Sequence, residues 1–205
     1  MAELSDIKSR IAAMSRLSLK MWQETHSAFI EHDLQILSGV LEQEVKLNDL
    51  EKELTIELIE LGRATKVKTD KSKALIYADV VADLELIGDY CKDMLERIQI
   101  KIEEKLLFSD DAVKEYEELY RKTESSLKEI TEALDKDKPG LVKEVIKGEG
   151  HIDKMVDECR RRHNQRLLDG ICSPLACNMF LNMLDFTAAV YYHAKKIARG
   201  LLKIK

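Results

Sequence analysis

Residues 82–91 read ADLELIGDYC, and this stretch places two carboxylates, Glu85 and Asp89, four positions apart inside a long helical pattern. A spacing of four puts both side chains on one helix face, one turn apart. Gly88 lies between them, although glycine disfavours a helix by about 1 kcal/mol relative to alanine. Because two neighbouring anionic groups repel unless a cation or basic group lies between them, the stretch raises a functional question as well as a packing one.

The composition of the 205-residue chain is typical of long amphipathic helices, with 45% apolar and 35% charged residues but only two prolines. The net charge of −5 argues against nucleic acid as the main partner. The four cysteines form no C-x-x-C pair and no hydrophobic leader is present, so we expect a cytoplasmic protein with reduced cysteines. No apolar run reaches the roughly 18 residues that span a bilayer, so any membrane association is expected to be peripheral, through a partner.

Apolar residues recur at helical spacing along almost the whole chain, which predicts an all-α protein. Capping serines and N1 prolines mark several of the helix boundaries, among them Ser109, Pro139 and the Ser173-Pro174 pair. The six predicted helices span residues 3–31, 33–63, 72–104, 110–135, 139–169 and 174–203.

The six helices form two sets of three that resemble each other. A shift of 105 residues overlays the second helices and pairs Glu44 with Glu149 and Asn48 with Asp153. A shift of 103 residues overlays the third helices. Such self-similarity indicates a duplicated unit. The sequence therefore predicts an elongated bundle of two three-helix units, residues 1–105 and 106–205.

The acidic positions suggest a site for a hard cation. Glu44 projects next to the apolar stripe of its helix, where an unpaired carboxylate is costly to bury. Together with Asn48 it could join Glu85 and Asp89 in offering oxygen ligands to iron, manganese, magnesium or calcium. Ordinary solvated carboxylates on a helix surface remain an alternative. A ferritin-type diiron oxidase is close to excluded, because the chain contains no Glu-x-x-His.

Other polar clusters carry less information. The basic run at residues 160–166 reads RRRHNQR and could hold an anion or the acidic surface of a partner, but a solvated helix face is the favoured interpretation. His163 and His193 project onto apolar stripes and are interpreted as core histidines with satisfied hydrogen bonds. Cys172 and Cys177 are a weak zinc signal. No nucleophile with a base and no glycine-rich phosphate loop appears, so nothing specifies catalysis.

Residues 83–90, DLELIGDY, resemble the D-L-E-R-I-G-D-H/Y signature of PhoU-type phosphate-uptake regulators. The pairs Glu44/Asn48 and Glu149/Asp153 resemble the acidic motif that this family carries on the preceding helix, and the duplication of three helices is also similar to PhoU. Residues 160–174, RRRHNQRLLDGICSP, resemble more closely the PhoU-like domain that follows the membrane part of sodium/phosphate cotransporters.

The resemblance implies a non-enzymatic regulator at the inner face of the membrane. PhoU proteins act as negative regulators and are linked to phosphate transporters, here of the sodium/phosphate or ABC type, and to the sensor kinase of the phosphate response. Some members carry iron or other metal clusters on their acidic motifs. Carried over by position, the implied ligands are Glu44, Glu85, Asp89, Glu149 and Asp153. A homodimer is a further expectation.

The chain departs from the family pattern in both units. Leu86 stands where the signature has arginine, and Ala188 and Tyr192 stand at the second-unit positions that match Glu85 and Asp89. Two other readings therefore stay open. One is a metal-binding carboxylate bundle with an enzymatic or storage role, and the other is a purely structural helical adaptor.

Overall fold

The computed structural model describes residues 4–204, with the side chain of Glu149 outside the description. All regular elements among these residues are helical, and no β-strand occurs among them. Six of the helices are long, and a short helix and a 3-10 turn precede the fifth long one. The elements are α1 (Leu4–Glu31), α2 (Gln35–Ala64), α3 (Lys68–Glu103), α4 (Asp110–Asp135), the 3-10 turn Pro139–Val142, α5 (Lys143–Lys147), α6 (Glu149–Leu168) and α7 (Pro174–Leu201).

The helices pack as two similar sets of three. Helices α1, α2 and α3 contact one another, as do α4, α6 and α7. The first helix of one set lies along the first helix of the other, and α3 lies along α7. A single apolar core runs through both sets and includes Met14, Met21 and Trp22, all fully buried. The predicted all-α duplicated three-helix bundle is confirmed.

The predicted helix starts at Ser109 and Ser173 are correct. The Ser109 hydroxyl accepts a hydrogen bond from the backbone N–H of Ala112 at 3.3 Å, and Ser173 accepts from Ala176 at 3.2 Å. The predicted start of the third helix at residue 72 is wrong, because α3 already begins at Lys68. Residues 68–73 are mostly exposed, and lysine is a good helix former, so the polar segment extends the helix.

The predicted fifth helix at 139–169 is also wrong in its first third, where the chain forms a 3-10 turn and α5 before α6 begins. The Tyr191 hydroxyl of α7 donates a hydrogen bond to the carbonyl of Val145 at 3.0 Å. A Cβ on Gly148 would lie 3.5 Å from the same hydroxyl oxygen. The side chain of Tyr191, from another helix, therefore packs against the segment where the predicted helix is interrupted. The apolar periodicity of a single helix gives no information about such a contact.

Gly88 sits at a close approach between α3 and α2. A Cβ at this position would overlap with Cδ2 of Leu47 on α2, and it would lie 3.4 Å from Cε of Met21 on α1. Leu47 and Met21 are both fully buried. The glycine is required for close packing between helices, and this packing positions the side chains of α2 next to the outer face of α3. Among the described residues, none of the helices is both long and apolar enough to cross a membrane.

Candidate functional site

An acidic surface lies where α2 and α3 pack side by side. We refer to Glu44, Glu51, Glu85 and Asp89 as the α2–α3 acidic face. Glu44 is only 7% exposed, as its position beside the apolar stripe predicts. One of its oxygens, Oε1, accepts hydrogen bonds from Lys92 Nζ at 2.9 Å and from Asn48 Nδ2 at 3.0 Å. The buried carboxylate is therefore paired, which offsets the cost of burying its charge.

Glu85 and Asp89 are partly buried, and among the described residues neither forms an ion pair comparable to that of Glu44. Burial raises the pKa of Glu85, and the negative charges of Asp89, Glu51 and Glu44 raise it further. Burial also raises the pKa of Asp89; Lys92 opposes this rise, while Glu44 adds to it. Both shifts have the sign expected where neighbouring carboxylates repel one another and Lys92 opposes that repulsion only in part.

The carboxylates of the acidic face are neighbours but do not form a closed ligand cage. In the described part of the chain, ligand atoms of Glu44, Glu85 and Asp89 do not all come within 4.8 Å of one another. Asn48 Oδ1 is buried and finds no hydrogen-bond partner among the described residues. An oxygen-preferring cation would satisfy that oxygen and relieve the repulsion between Glu85 and Asp89. The residue types and the orphaned oxygen fit such a cation, and Lys92 competes with it for Glu44.

The corresponding face of the second unit has a different composition. The shift of 103 residues that overlays the third helices also pairs Lys92 with Lys195, whose Nζ lies 3.6 Å from Asp153 Oδ1. The side chain of Asp153 is 62% exposed. Ala188 and Tyr192 offer no carboxylate, and the side chain of Glu149 lies outside the described part of the structure. The second unit therefore keeps the lysine and loses the acidic pair.

Asp83 is the polar residue that sequence reasoning missed. It is 2% exposed, and its Oδ1 lies 2.8 Å from His193 Nδ1 and 2.6 Å from Lys196 Nζ. This carboxylate of α3 thus connects the first unit to α7 of the second. Its position three residues after Val80 and four before Ile87 placed it on the apolar stripe, which was a usable signal. The prediction that His193 is a satisfied core histidine is confirmed.

The arginines of the basic run at residues 160–166 form more ion pairs than a purely solvated helix face would need. Arg166 forms a two-pronged ion pair with Glu115 of α4, at 2.6 and 3.0 Å, and both side chains are largely buried. Arg160 pairs with Asp185, and Arg161 and Arg162 pair with Glu158. The run therefore holds α6 against α4 and α7 as well as facing solvent.

His163 lies in the core as predicted, at 1% exposure, but the expectation of satisfied hydrogen bonds is wrong. Neither ring nitrogen has a hydrogen-bond partner among the described residues. Burial, together with the positive charge of Arg166, lowers the pKa of His163 to about 4. The ring is therefore neutral at physiological pH.

Comparison with known proteins connects this architecture to a family. Residues 11–98 match the family described as the PhoU domain, and this range contains the whole α2–α3 acidic face. No curated protein is significantly similar to the chain in sequence.

Solved structures extend the likeness to the complete bundle. The chain is similar to PhoU from Pseudomonas aeruginosa, with a TM-score of 0.91 and 19% identity over 98% of this chain and 96% of that one. The phosphate transport system regulatory protein PhoU from Streptococcus pneumoniae gives a TM-score of 0.87 and 13% identity, covering 98% and 94%. A PhoU-like protein from Shewanella oneidensis MR-1 gives 0.68 and 10%, covering 98% and 96%. Residues 11–98 are thus similar to the PhoU domain, and the chain has the PhoU fold over 98% of its length.

Proposed function

We propose that this protein is a non-enzymatic, cytoplasmic regulator of inorganic phosphate uptake that acts by contact with a membrane phosphate transporter or its sensor kinase. The match of residues 11–98 to the PhoU domain is the observation that carries the proposal. The similar protein from Streptococcus pneumoniae is described as a phosphate transport system regulatory protein. The transporter we propose as partner is of the sodium/phosphate cotransporter type or of the ABC type.

The α2–α3 acidic face is the surface through which we expect regulation to act. Glu85 and Asp89 project from α3 beside Glu44, and their excess negative charge suits a basic surface on the partner. A bound divalent cation, iron or another metal, would be held by Glu85 and Asp89 with contributions from Glu44 and Asn48. Binding would cancel much of that charge and so change the affinity for a basic partner.

A cation on the second unit would be held more weakly. Only Glu149 and Asp153 remain as candidate ligands there, since Ala188 and Tyr192 replace the acidic pair. Asp153 is already engaged by Lys195 at 3.6 Å. We therefore assign metal-dependent tuning to the first unit.

The proposal is tested by measuring phosphate uptake in cells of the source organism that lack the protein. As expected of a negative regulator, deletion raises phosphate uptake in phosphate-rich medium, and expression of the wild-type chain returns uptake to its original low level. The Glu85→Gln/Asp89→Asn variant is expected to return uptake to the low level only poorly. The matched variant Glu42→Gln/Glu60→Gln, which changes two exposed positions of α2, is expected to do so fully. Unchanged uptake on deletion contradicts the regulatory function, and full restoration by Glu85→Gln/Asp89→Asn contradicts only the role of the acidic face.

Physical contact is tested separately by affinity capture from solubilised membranes of cells grown with and without phosphate. We expect the tagged protein to recover a phosphate transporter or its sensor kinase, identified by mass spectrometry. Metal content of the captured chain, compared between wild type and Glu85→Gln/Asp89→Asn, tests the cation. Equal metal content in both proteins would show that the acidic pair does not bind it.

A further inference from the structure

Three side chains with strong affinity for transition metals converge where α6 turns into α7. His163 lies on α6, Cys172 in the connecting turn, and Cys177 near the start of α7. One ligand atom from each residue lies within 4.8 Å of the others. This separation is small enough for all three atoms to bind a single ion at bond lengths of about 2.0–2.3 Å. Within the described residues, this is the one group of histidine, cysteine and acidic side chains that converges so closely.

His163 provides a second, independent indication of a ligand. Its ring is 1% exposed, and both nitrogens are buried without a hydrogen-bond partner among the described residues. Leaving a polar group unpaired in the interior costs roughly 1–3 kcal/mol, so such groups require an explanation. Phe180 stacks on the ring with 4.1 Å between centroids and 19° between planes, which fixes the orientation of the imidazole. A metal bond would satisfy one of the two orphaned nitrogens.

The turn that carries Cys172 is held in place by backbone hydrogen bonds on one side and by a helix cap on the other. Gly170 adopts a positive φ of 70°. Its N–H donates to the carbonyl of Leu167, and the N–H of Ile171 donates to that of Arg166, which closes the C-terminus of α6. On the other side, the Ser173 hydroxyl caps α7. The two thiols are therefore brought to His163 by the local fold.

The chemistry of this group favours zinc over the harder cations expected at the α2–α3 acidic face. Thiolate and imidazole are the ligands that zinc prefers, whereas iron and magnesium in oxygen-rich sites bind carboxylates. Two thiolates balance the charge of Zn²⁺, so the occupied group would be neutral and suited to partial burial. The nearby charge of Arg166 is already balanced by its ion pair with Glu115.

We propose that His163, Cys172 and Cys177 bind one Zn²⁺ ion, with the fourth position of the tetrahedron left to water or to an exogenous ligand. On binding, each thiol releases its proton to solvent and forms a zinc–sulfur bond, and the neutral imidazole donates a nitrogen lone pair. The ion would fasten the α6–α7 turn to the core of the second unit. It would also place an open metal position beside the basic run at residues 160–166. This site is separate from the cation proposed at the α2–α3 acidic face and does not depend on it.

The test uses the full chain, stripped of metal and fully reduced. Titration with Zn²⁺ against a chromophoric chelator is expected to give one tight site per chain. Titration with Co²⁺ is expected to give the near-ultraviolet thiolate charge-transfer band and the intense visible bands of a tetrahedral site. Cys172→Ser is expected to weaken Zn²⁺ binding by at least about tenfold, since even outer-sphere partners of metal ligands contribute that much.

Matched variants separate this site from the other thiols and from the carboxylates. Cys159→Ala removes a buried thiol one turn before His163, and it should bind Zn²⁺ as the wild type does. Glu85→Gln/Asp89→Asn should likewise keep the tight site. Zinc should raise the melting temperature of the wild type more than that of Cys172→Ser, because it binds the folded state. Cys172 is partly exposed, so this variant is expected to fold even where His163→Asn does not.

Either of two results would overturn the proposal. One is a folded, reduced wild-type chain that gives no thiolate charge-transfer band with Co²⁺. The other is a folded Cys172→Ser variant that binds Zn²⁺ as tightly as the wild type.

Discussion

The outer faces of α3 and α7 occupy equivalent positions in the two three-helix units, but they carry different charge. In the first unit Lys92 donates to the buried Glu44 while Glu85 and Asp89 remain in excess. In the second unit Lys195 lies near the exposed Asp153, and Ala188 and Tyr192 replace the acidic pair. The lysine is common to both units, whereas the acidic pair is confined to the first. This difference is the reason why we propose the first unit as the place where a cation or a basic partner would bind.

The same comparison holds beneath the surface. At the position where α3 has Gly88, α7 has Tyr191, and at that of Asp83 it has Phe186. The glycine lets α2 pack tightly on α3, while the tyrosine hydroxyl reaches the backbone of the shorter, interrupted element before α6. Asp83 reaches across to α7, and the ring of Phe186 lies 6.2 Å from that of Tyr90. Duplication thus preserved the helix positions while the contacts between helices diverged.

The largest effect is expected from Asp83→Ala, which tests whether the buried carboxylate of α3 differs in kind from the exposed ones. The substitution leaves His193 and Lys196 without their acceptor, and we expect the free energy of unfolding to fall by about 3 kcal/mol. Urea denaturation measures this. Asp79→Ala, an exposed position one turn earlier, should change stability by less than about 0.5 kcal/mol. Equal effects of the two substitutions would show that Asp83 does not join the units.

Gly88→Ala tests the close approach of α2 and α3, at a position where α7 has Tyr191 instead. The added methyl overlaps Leu47, and overpacking of this kind costs roughly 1–3 kcal/mol, of which about 1 is offset by the better helix propensity of alanine. We expect a net loss of about 1.5 kcal/mol in urea denaturation. Gly39→Ala, in α2 with nothing near the new Cβ, should instead stabilise the chain. A Gly88→Ala protein as stable as Gly39→Ala would rule out the packing constraint.

Tyr191→Phe tests the contact that replaces the glycine in the second unit. It removes the hydrogen bond to the Val145 carbonyl while keeping the buried ring, so the unfolding free energy should fall by about 1 kcal/mol. The neighbouring Tyr192 is exposed, and Tyr192→Phe serves as the control with little change expected. Hydrogen exchange at residues 143–149 should accelerate in Tyr191→Phe alone. No acceleration there would argue that the interruption has another cause.

Glu85→Gln/Asp89→Asn gives the smallest effect and tests the excess charge directly. The pKa values of Glu85 and Asp89 are higher in the folded than in the unfolded state. The protein is therefore most stable, with respect to these two groups, below their unfolded-state pKa values of about 4, and it loses that stability as pH rises through the folded-state pKa values. In metal-free buffer the free energy of unfolding of the variant should equal that of the wild type near pH 4 and be larger by about 0.5 kcal/mol at pH 7. Urea midpoints across this range provide the measurement. Glu42→Gln/Glu60→Gln should show no such trend, and a variant less stable than wild type at pH 7 would contradict the repulsion.

Much of the fold could be read from the sequence, because periodic apolar residues and local caps report on the helix that contains them. Four of the six predicted helices agree with the observed ones to within two residues at both ends, and the buried position of Glu44 followed from its place beside the stripe. The interruption before α6 could not be predicted, since its partner Tyr191 lies on another helix. The residues of the candidate site on the α2–α3 acidic face were proposed from the sequence, but their arrangement in space was not. Lys92 and the orphaned nitrogens of His163 became visible only when neighbouring helices were in place.

The sequence by itself determined the all-α class, the duplication and the acidic signature at residues 83–90, since these depend on residue type and spacing along one helix. Only the tertiary structure decided why Gly88 is needed, that Asp83 faces the other unit, and that His163 meets Cys172 and Cys177. Each of these contacts joins side chains from different elements. Their separation in space depends on how helices pack, and that information is not present in the periodicity of any single helix.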